Sequence, residues 1–284
     1  MAYGIGQDSG GGFSMMNIDK IKTFSQTRTM YKNNAVLADA VKESIKNQEV
    51  VYSTQDSRVS LPQRGRTAEI LVTKSRSFEA AKRYPDNKVC VLNFASATNP
   101  GGGVVYGASA QEECLCRIST LYPCLQSAGR EFYRKHRKDM ISGKMNASYN
   151  NDCIYTPGVV VFKTDTSNPK LMEQADWYKV NVISCAAPNL SGLGSRLNQK
   201  VSALLNLHML RARVILDLAY VKGNEVIILG AFGCGAFRNP PDVVAEAYRS
   251  VIEDYRYSFK TIEFAVYCSE RNTRNYDIFK RYLT

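Results

Sequence analysis

From about residue 68 onward, short apolar runs alternate with segments whose apolar positions recur every three or four residues. The runs "AEILVTK" (68–74), "KVCVLNF" (88–94), "GVVVFKT" (158–164), "YKVNVISCAA" (178–187), "NEVIILG" (224–230) and "IEFAVYC" (262–268) read as strands. Helices are predicted near 77–84, within 110–140, near 195–221, near 241–256 and up to about 282. The alternation predicts an α/β protein with a mixed or mostly parallel sheet covered on both faces. Ahead of it, Ile21, Val36, Leu37, Ala40, Val41 and Ile45 are spaced for one or two helices between Asn17 and Tyr52. The first residues, "MAYGIGQDSGGGFSMM", are Gly- and Ser-rich without periodicity and are expected to be a disordered leader or an expression remnant.

Composition narrows the function classes. A chain of 284 residues that is 44% hydrophobic can bury a sizeable core. Its longest apolar runs, such as "EVIILGAFGCG" (225–235), fall far short of the roughly 20 residues that span a bilayer, and no h-region opens the chain. A soluble, cytoplasmic protein without membrane contact is expected. Eight cysteines without a C-x-x-C, and only two histidines, fit reduced thiols rather than a disulfide framework or a zinc site. Basic residues exceed acidic ones by 37 − 26 = 11, so the surrounding field attracts polyanions.

Two glycine-rich loops leave strand ends, where open α/β sheets bind ligands. In "GAFGCGAFRNPP", Gly230, Gly233 and Gly235 free the backbone to turn, and Asn239 is expected to cap a helix with Pro240 and Pro241 in its first turn. Backbone donors at a helix start suit a phosphate or diphosphate. Neither a P-loop nor a Rossmann pattern is present. In "NFASATNPGGGVVYGASAQEEC" (93–114), Ser109 to Glu112 reads as a capping box, and Glu113 in the first turn would complement the helix dipole. Capping does not explain Gly101 to Gly103, which suit close approach of backbone to a ligand. Neighbouring helical residues point about 100° apart, so Glu112 and Glu113 must differ in task, one binding and one transferring a proton.

The triple glycine, a seven-residue spacer and Gln111-Glu112-Glu113 resemble the signature of poly(ADP-ribose) glycohydrolases. The surrounding "NFASATNPGGG" and "GAFGCGAFRNPP" look like the compact bacterial type. The resemblance implies a macrodomain-like α/β/α sandwich with a mixed sheet at 66–284, and an N-terminal helical accessory segment at 17–65 behind a leader at 1–16. It implies hydrolysis of the ribose–ribose bonds of poly(ADP-ribose) on ADP-ribosylated proteins, with ADP-ribose as product and no metal or other cofactor. Direct DNA binding is not expected.

Carried over by position, Glu113 would be the general acid and Glu112 would hydrogen-bond hydroxyls at the scissile linkage. Asn99 and the backbone of Gly101, Gly102, Gly103 and Val104 would line the distal ribose. Gly233, Cys234, Gly235 and Ala236 would hold the diphosphate, Phe237 would lie against the distal ribose, and Gln111 would orient the loop at the ligand. A helix start favours an ionised carboxylate whereas an acid must hold a proton, so bound diphosphate and Glu112 are expected to keep that proton in place only in the complex.

Other residues admit structural readings. His208 falls in step with the apolar positions of its helix and reads as packed. His136, in "YRKHRKD", reads as solvated on a basic helix face. Cys114 and Cys116 are expected to pack, and "AAPNL" (186–190) with Cys268-Ser269 to border the adenosine. Three alternatives remain open at this stage: a macrodomain that binds ADP-ribose without cleaving it, a hydrolase of protein-linked mono-ADP-ribose, and a basic nucleic-acid binder. The glutamate pair favours cleavage over binding alone.

Overall fold

The computed structural model describes residues 15–52, 59–192 and 201–284. The expected leader lies outside them except for 15 and 16, which begin α1 (Met15–Asn33). Asn34 separates α1 from α2 (Ala35–Lys46): its side-chain oxygen accepts from the Leu37 N–H at 3.1 Å, which starts the second helix.

Strands β1 (Glu49–Val51), β2 (Glu69–Thr73), β3 (Val89–Phe94), β4 (Cys153–Val161), β5 (Tyr178–Cys185), β6 (Val226–Leu229) and β7 (Thr261–Ala265) form one seven-stranded sheet in the order β1-β4-β5-β3-β6-β7-β2. Pairing is parallel from β5 across to β2 and antiparallel at β1–β4 and β4–β5. The sheet is therefore mixed, as expected.

Side chains alternate across the pleat, so Val89 and Val91 of β3 face one helical layer and Cys90 and Leu92 the other. The first layer holds α3 (Ser77–Ala81), α4 (Gln111–Ile118), α5 (Leu121–Ser127) and Phe24 of α1. The second holds α7 (Val201–Val221), α8 (Pro241–Ile252) and α9 (Arg274–Leu283). With both faces covered, the central strands are predominantly apolar, which is why they stand out in the sequence. A π-helical turn, Gly129–Arg134, runs from α5 into α6 (Lys135–Ile141).

Two strand features escape the apolar pattern. The edge strand β1 has only three residues, and β4 begins at Cys153 rather than near 158. Pro157-Gly158 reads as a break, yet the strand continues through a bulge between Thr156 and Val159 with Gly158 at φ +69°.

Within 17–65, expected as an accessory layer, α1 packs on α4, α2 packs on α5 and β4, and Glu49–Val51 supplies β1. Helix α1 also reaches the glycine-rich loop after β3. A Cβ on Gly107 would come 2.8 Å from the Asn17 carbonyl oxygen, and Lys20 Nζ donates to Ser109 Oγ at 2.8 Å. Lys163 Nζ, buried beneath α1, donates to the Thr23 carbonyl at 3.0 Å. Among the described residues no helix is long and apolar enough to cross a membrane.

Candidate active site

A cavity of about 910 Å³ opens where the parallel strands end, lined by Phe94, Ser96, Gly102, Glu112 and Glu113 on one side and by Gly233, Gly235, Ala236 and Phe237 on another. The helix that carries the acids is set by Gln111. Its Oε1 accepts from the Phe94 N–H at 2.8 Å, while Nε2 donates to the Leu92 carbonyl at 2.8 Å and to Ser77 Oγ at 3.0 Å. The amide thus prolongs the ladder of β3 by one rung. Gln111 lines the cavity and holds α4 to the strand.

The expected capping box does not form. Helix α4 begins at Gln111 without a side-chain cap, and exposed Ser109 is held by Lys20. Glu112 turns inward, where Oε2 accepts from the Ser96 N–H at 2.8 Å and Oε1 from Asn93 Nδ2 at 3.4 Å. Buried carboxylate oxygens require such donors, and a surface serine cannot supply them. Glu113 Oε1 accepts from the Gly103 N–H at 2.8 Å. Its Oε2 is buried and has no hydrogen-bond partner.

The glycine turn wraps these acids. Gly102 adopts φ +57°, and a Cβ there would collide with the Glu113 carboxylate and come 3.2 Å from Glu112 Oε2. The neighbouring N–H groups are engaged within the turn. The N–H of Gly102 bonds the Asn99 carbonyl at 3.0 Å and that of Val104 the Gly101 carbonyl at 3.1 Å, while Gly103 serves Glu113. Val104 is a core residue, Gly101 is buried against Tyr122, and Asn99 is exposed.

Burial pushes Glu112 up to about 8, reinforced by the charge of Glu113 and opposed by the Ser96 N–H and Asn93. Glu112 therefore holds its proton at neutral pH before any ligand arrives. Because the folded state holds this proton more tightly than an unfolded chain, Glu112 contributes stability that is complete below the ordinary carboxyl range. That contribution is lost as pH rises through about 8. Thermal melts should show wild type losing a few kcal/mol relative to Glu112→Gln between acid and mildly alkaline pH; parallel pH profiles would refute the assignment.

The second loop is anchored from below. Asn239, expected as the cap of α8, lies two residues before that helix, whose cap is Pro240. Its Nδ2 donates to the carbonyls of Pro188 at 2.7 Å and Gly233 at 3.0 Å, and its Oδ1 meets His208 Nε2 at 2.9 Å. Burial pushes His208 down to about 4, so the packed ring is neutral and donates to that oxygen. Gly233, at φ +76°, leaves no room for a Cβ, which would lie 2.5 Å from both Ala187 Cβ and Asn239 Nδ2. Held this way, Gly235, Ala236 and Phe237 keep N–H groups without a backbone acceptor among the described residues. Such successive free donors form an anion-binding concavity. Cys234 does not join them: its N–H bonds the Ala231 carbonyl at 3.1 Å, and burial pushes its thiol up.

Other residues were hidden from the sequence or misread in it. His136 is buried rather than solvated, with Nδ1 3.2 Å from the Ala97 carbonyl and Nε2 3.2 Å from Asp152 Oδ2. One inward position in a charged run leaves no compositional trace. Buried Arg211 ties the backbone after β5 to the loop before β4, donating to Ala186 O at 2.7 Å and Ser148 O at 3.0 Å. An arginine in step with the buried positions of α7, between His208 and Ile215, was the available signal. Asn93 and Ser96 lie inside the quoted glycine motif without an assigned role. At another end of the cavity the Arg76 guanidinium sits 3.9 Å over the Tyr267 ring. The wall there is Val266 and Tyr267 rather than Cys268-Ser269, while Ala187 of the 186–190 turn does line the cavity.

A mixed-sheet α/β/α sandwich with an acid pair under one glycine turn and an anion-binding loop facing it defines a macrodomain-like hydrolase scaffold. The model of the microbial-type poly(ADP-ribose) glycohydrolase (PARG) catalytic domain matches residues 19–164. The chain belongs to this family. It is similar to the crystal structure of the enzyme from Thermomonospora curvata, with 27% identity, coverage of 94% of this chain and 100% of that one, and a TM-score of 0.82. The Thermomonospora enzyme bound to the inhibitor ADP-HPD is also 27% identical, covering 93% and 99%, with a TM-score of 0.79. The Deinococcus radiodurans enzyme in complex with ADP-ribose is 30% identical, covering 85% and 96%, with a TM-score of 0.72. No curated protein matches the chain.

Proposed function

We propose that this protein hydrolyses the ribose–ribose O-glycosidic bonds of poly(ADP-ribose), releasing ADP-ribose, and that Glu113 performs the proton transfers. It would act in the cytoplasm on polymers attached to ADP-ribosylated proteins. The observation that carries this reading is the unpartnered, buried Glu113 Oε2, in a cavity whose other wall offers the free N–H groups of Gly235, Ala236 and Phe237.

The diphosphate rests on that wall and on Gly233, near the start of α8, which favours negative charge. Phe237 and Asn99 lie against the distal ribose. The stacked Arg76 and Tyr267 offer a flat face for the adenine. Glu113 protonates the departing ribose oxygen, the distal ribose passes through an oxocarbenium-like state, and the Glu113 carboxylate then draws a proton from the attacking water. Glu112, immobilised by Ser96 and Asn93, binds ribose hydroxyls at the scissile linkage. The ligand's diphosphate stabilises the developing cation.

Product analysis with defined substrates tests this. Poly(ADP-ribose) should yield free ADP-ribose, and absence of that product would refute the reading. Release from protein-linked mono-ADP-ribose alone would assign the site to the other bond.

A further inference from the structure

The basic run "YRKHRKD" (133–139) buries Tyr133 and His136 and leaves its other basic side chains exposed. It lies in the π-helical turn and α6, where Arg130, Arg134, Arg137 and Lys138 are all exposed. Spacings of three and four residues place them along one side. Among the described residues none of the four forms an ion pair, whereas the intervening Lys135 is paired with Asp139 and Asp152. Glu131 is the exposed acid in the same stretch.

This basic side is fixed to the catalytic loop. Arg137 Nη1 donates to the Thr98 carbonyl at 2.6 Å, and His136 Nδ1 lies against the Ala97 carbonyl. Ala97 and Thr98 directly follow Ser96, whose N–H holds Glu112, and precede the turn whose Gly103 N–H holds Glu113. The loop's other flank, at Gly107 and Ser109, lies against α1. Asn99, beside Thr98, is exposed.

We propose that Arg130, Arg134, Arg137 and Lys138 form a track for the diphosphates of the poly(ADP-ribose) chain that continues beyond the bond at Glu113. The proposal rests on the glycohydrolase reading above. With a terminal unit in the cavity, the remaining polymer must leave past Glu113, and the loop that holds Glu112 and Glu113 is the one Arg137 binds at Thr98. Guanidinium groups match phosphate oxygens with paired donors. A nucleic acid would meet the same charges, but only the ADP-ribose polymer is delivered to them by a unit already bound.

The test measures equilibrium binding in a Glu113→Gln background, where substrate is not consumed. Long poly(ADP-ribose) chains and free ADP-ribose are titrated across a salt series, with and without Arg130→Ala, Arg134→Ala and Lys138→Ala combined. Arg137 is kept because it holds Thr98. The triple variant should weaken polymer binding about tenfold at moderate salt and flatten the slope of log Kd against log salt by about 2. Affinity for free ADP-ribose should stay unchanged, which also verifies the fold. Unchanged polymer affinity and slope would overturn the proposal, as would an equal loss for free ADP-ribose. Equally tight binding of single-stranded DNA, lost to the same extent in the variant, would mark a nucleic-acid surface and overturn it too. Should wild type release no ADP-ribose, the glycohydrolase reading fails while this binding comparison still decides whether the track exists.

Discussion

Glu113→Gln is expected to lower kcat for ADP-ribose release by about 10³-fold while leaving ADP-ribose affinity within a few-fold, because proton transfer supplies roughly 10²–10⁴ of such rates. The substitution keeps the side chain's size and a carbonyl oxygen to accept from the Gly103 N–H. It places an amide where the buried, unpartnered Oε2 now stands. What it removes is the ability to give a proton to the leaving oxygen and take one from water. Single-turnover kinetics with long polymer and calorimetry with ADP-ribose separate the two effects. A variant with near-wild-type kcat would transfer the proton role away from Glu113.

Gly102→Ala should reduce kcat/KM by about 10²-fold or more, even though the residue bears no chemical group, since misplacing a reacting group by an ångström can cost that much. The new methyl would collide with the Glu113 carboxylate and press on Glu112, at a φ of +57° that penalises any Cβ by about 1–2 kcal/mol. Both terms act together: the turn must open, and the acids must move. Stability should fall by about 1–3 kcal/mol, within the usual range for a left-handed glycine replaced by alanine in a crowded site. Steady-state kinetics and thermal melts measure the two effects. Retained activity would mean that the turn does not clamp the pair.

The strands and the two loops were legible because their causes are local. Strands such as "VCVLNF" and "EVIILG" are apolar along their length since both faces are covered, and the glycines sit where backbone must pass close to something. The acid pair was legible only through its spacing from Gly101 to Gly103. What each residue touches was not. Ser109 and Glu112 obey the local capping pattern, yet Ser96 and Asn93, brought near by the end of β3, win Glu112. Asn239 looks like a cap in sequence and acts as a brace, because Pro188 and His208 converge on it from distant segments. His136 was misassigned for the same reason, its partners being contributed by the glycine loop and the start of β4. Local rules name the candidates, and long-range contacts decide between them.

The contact between Asn17 and Gly107 bears on how the acids keep their place. Helix α1 rests on the spacer that joins the glycine turn to the acids, so Met15–Asn33 backs the wall behind them. Loosening that helix would free Gly107 and Ser109, and the two glutamates would lose the backstop that sets their distance from the glycine turn.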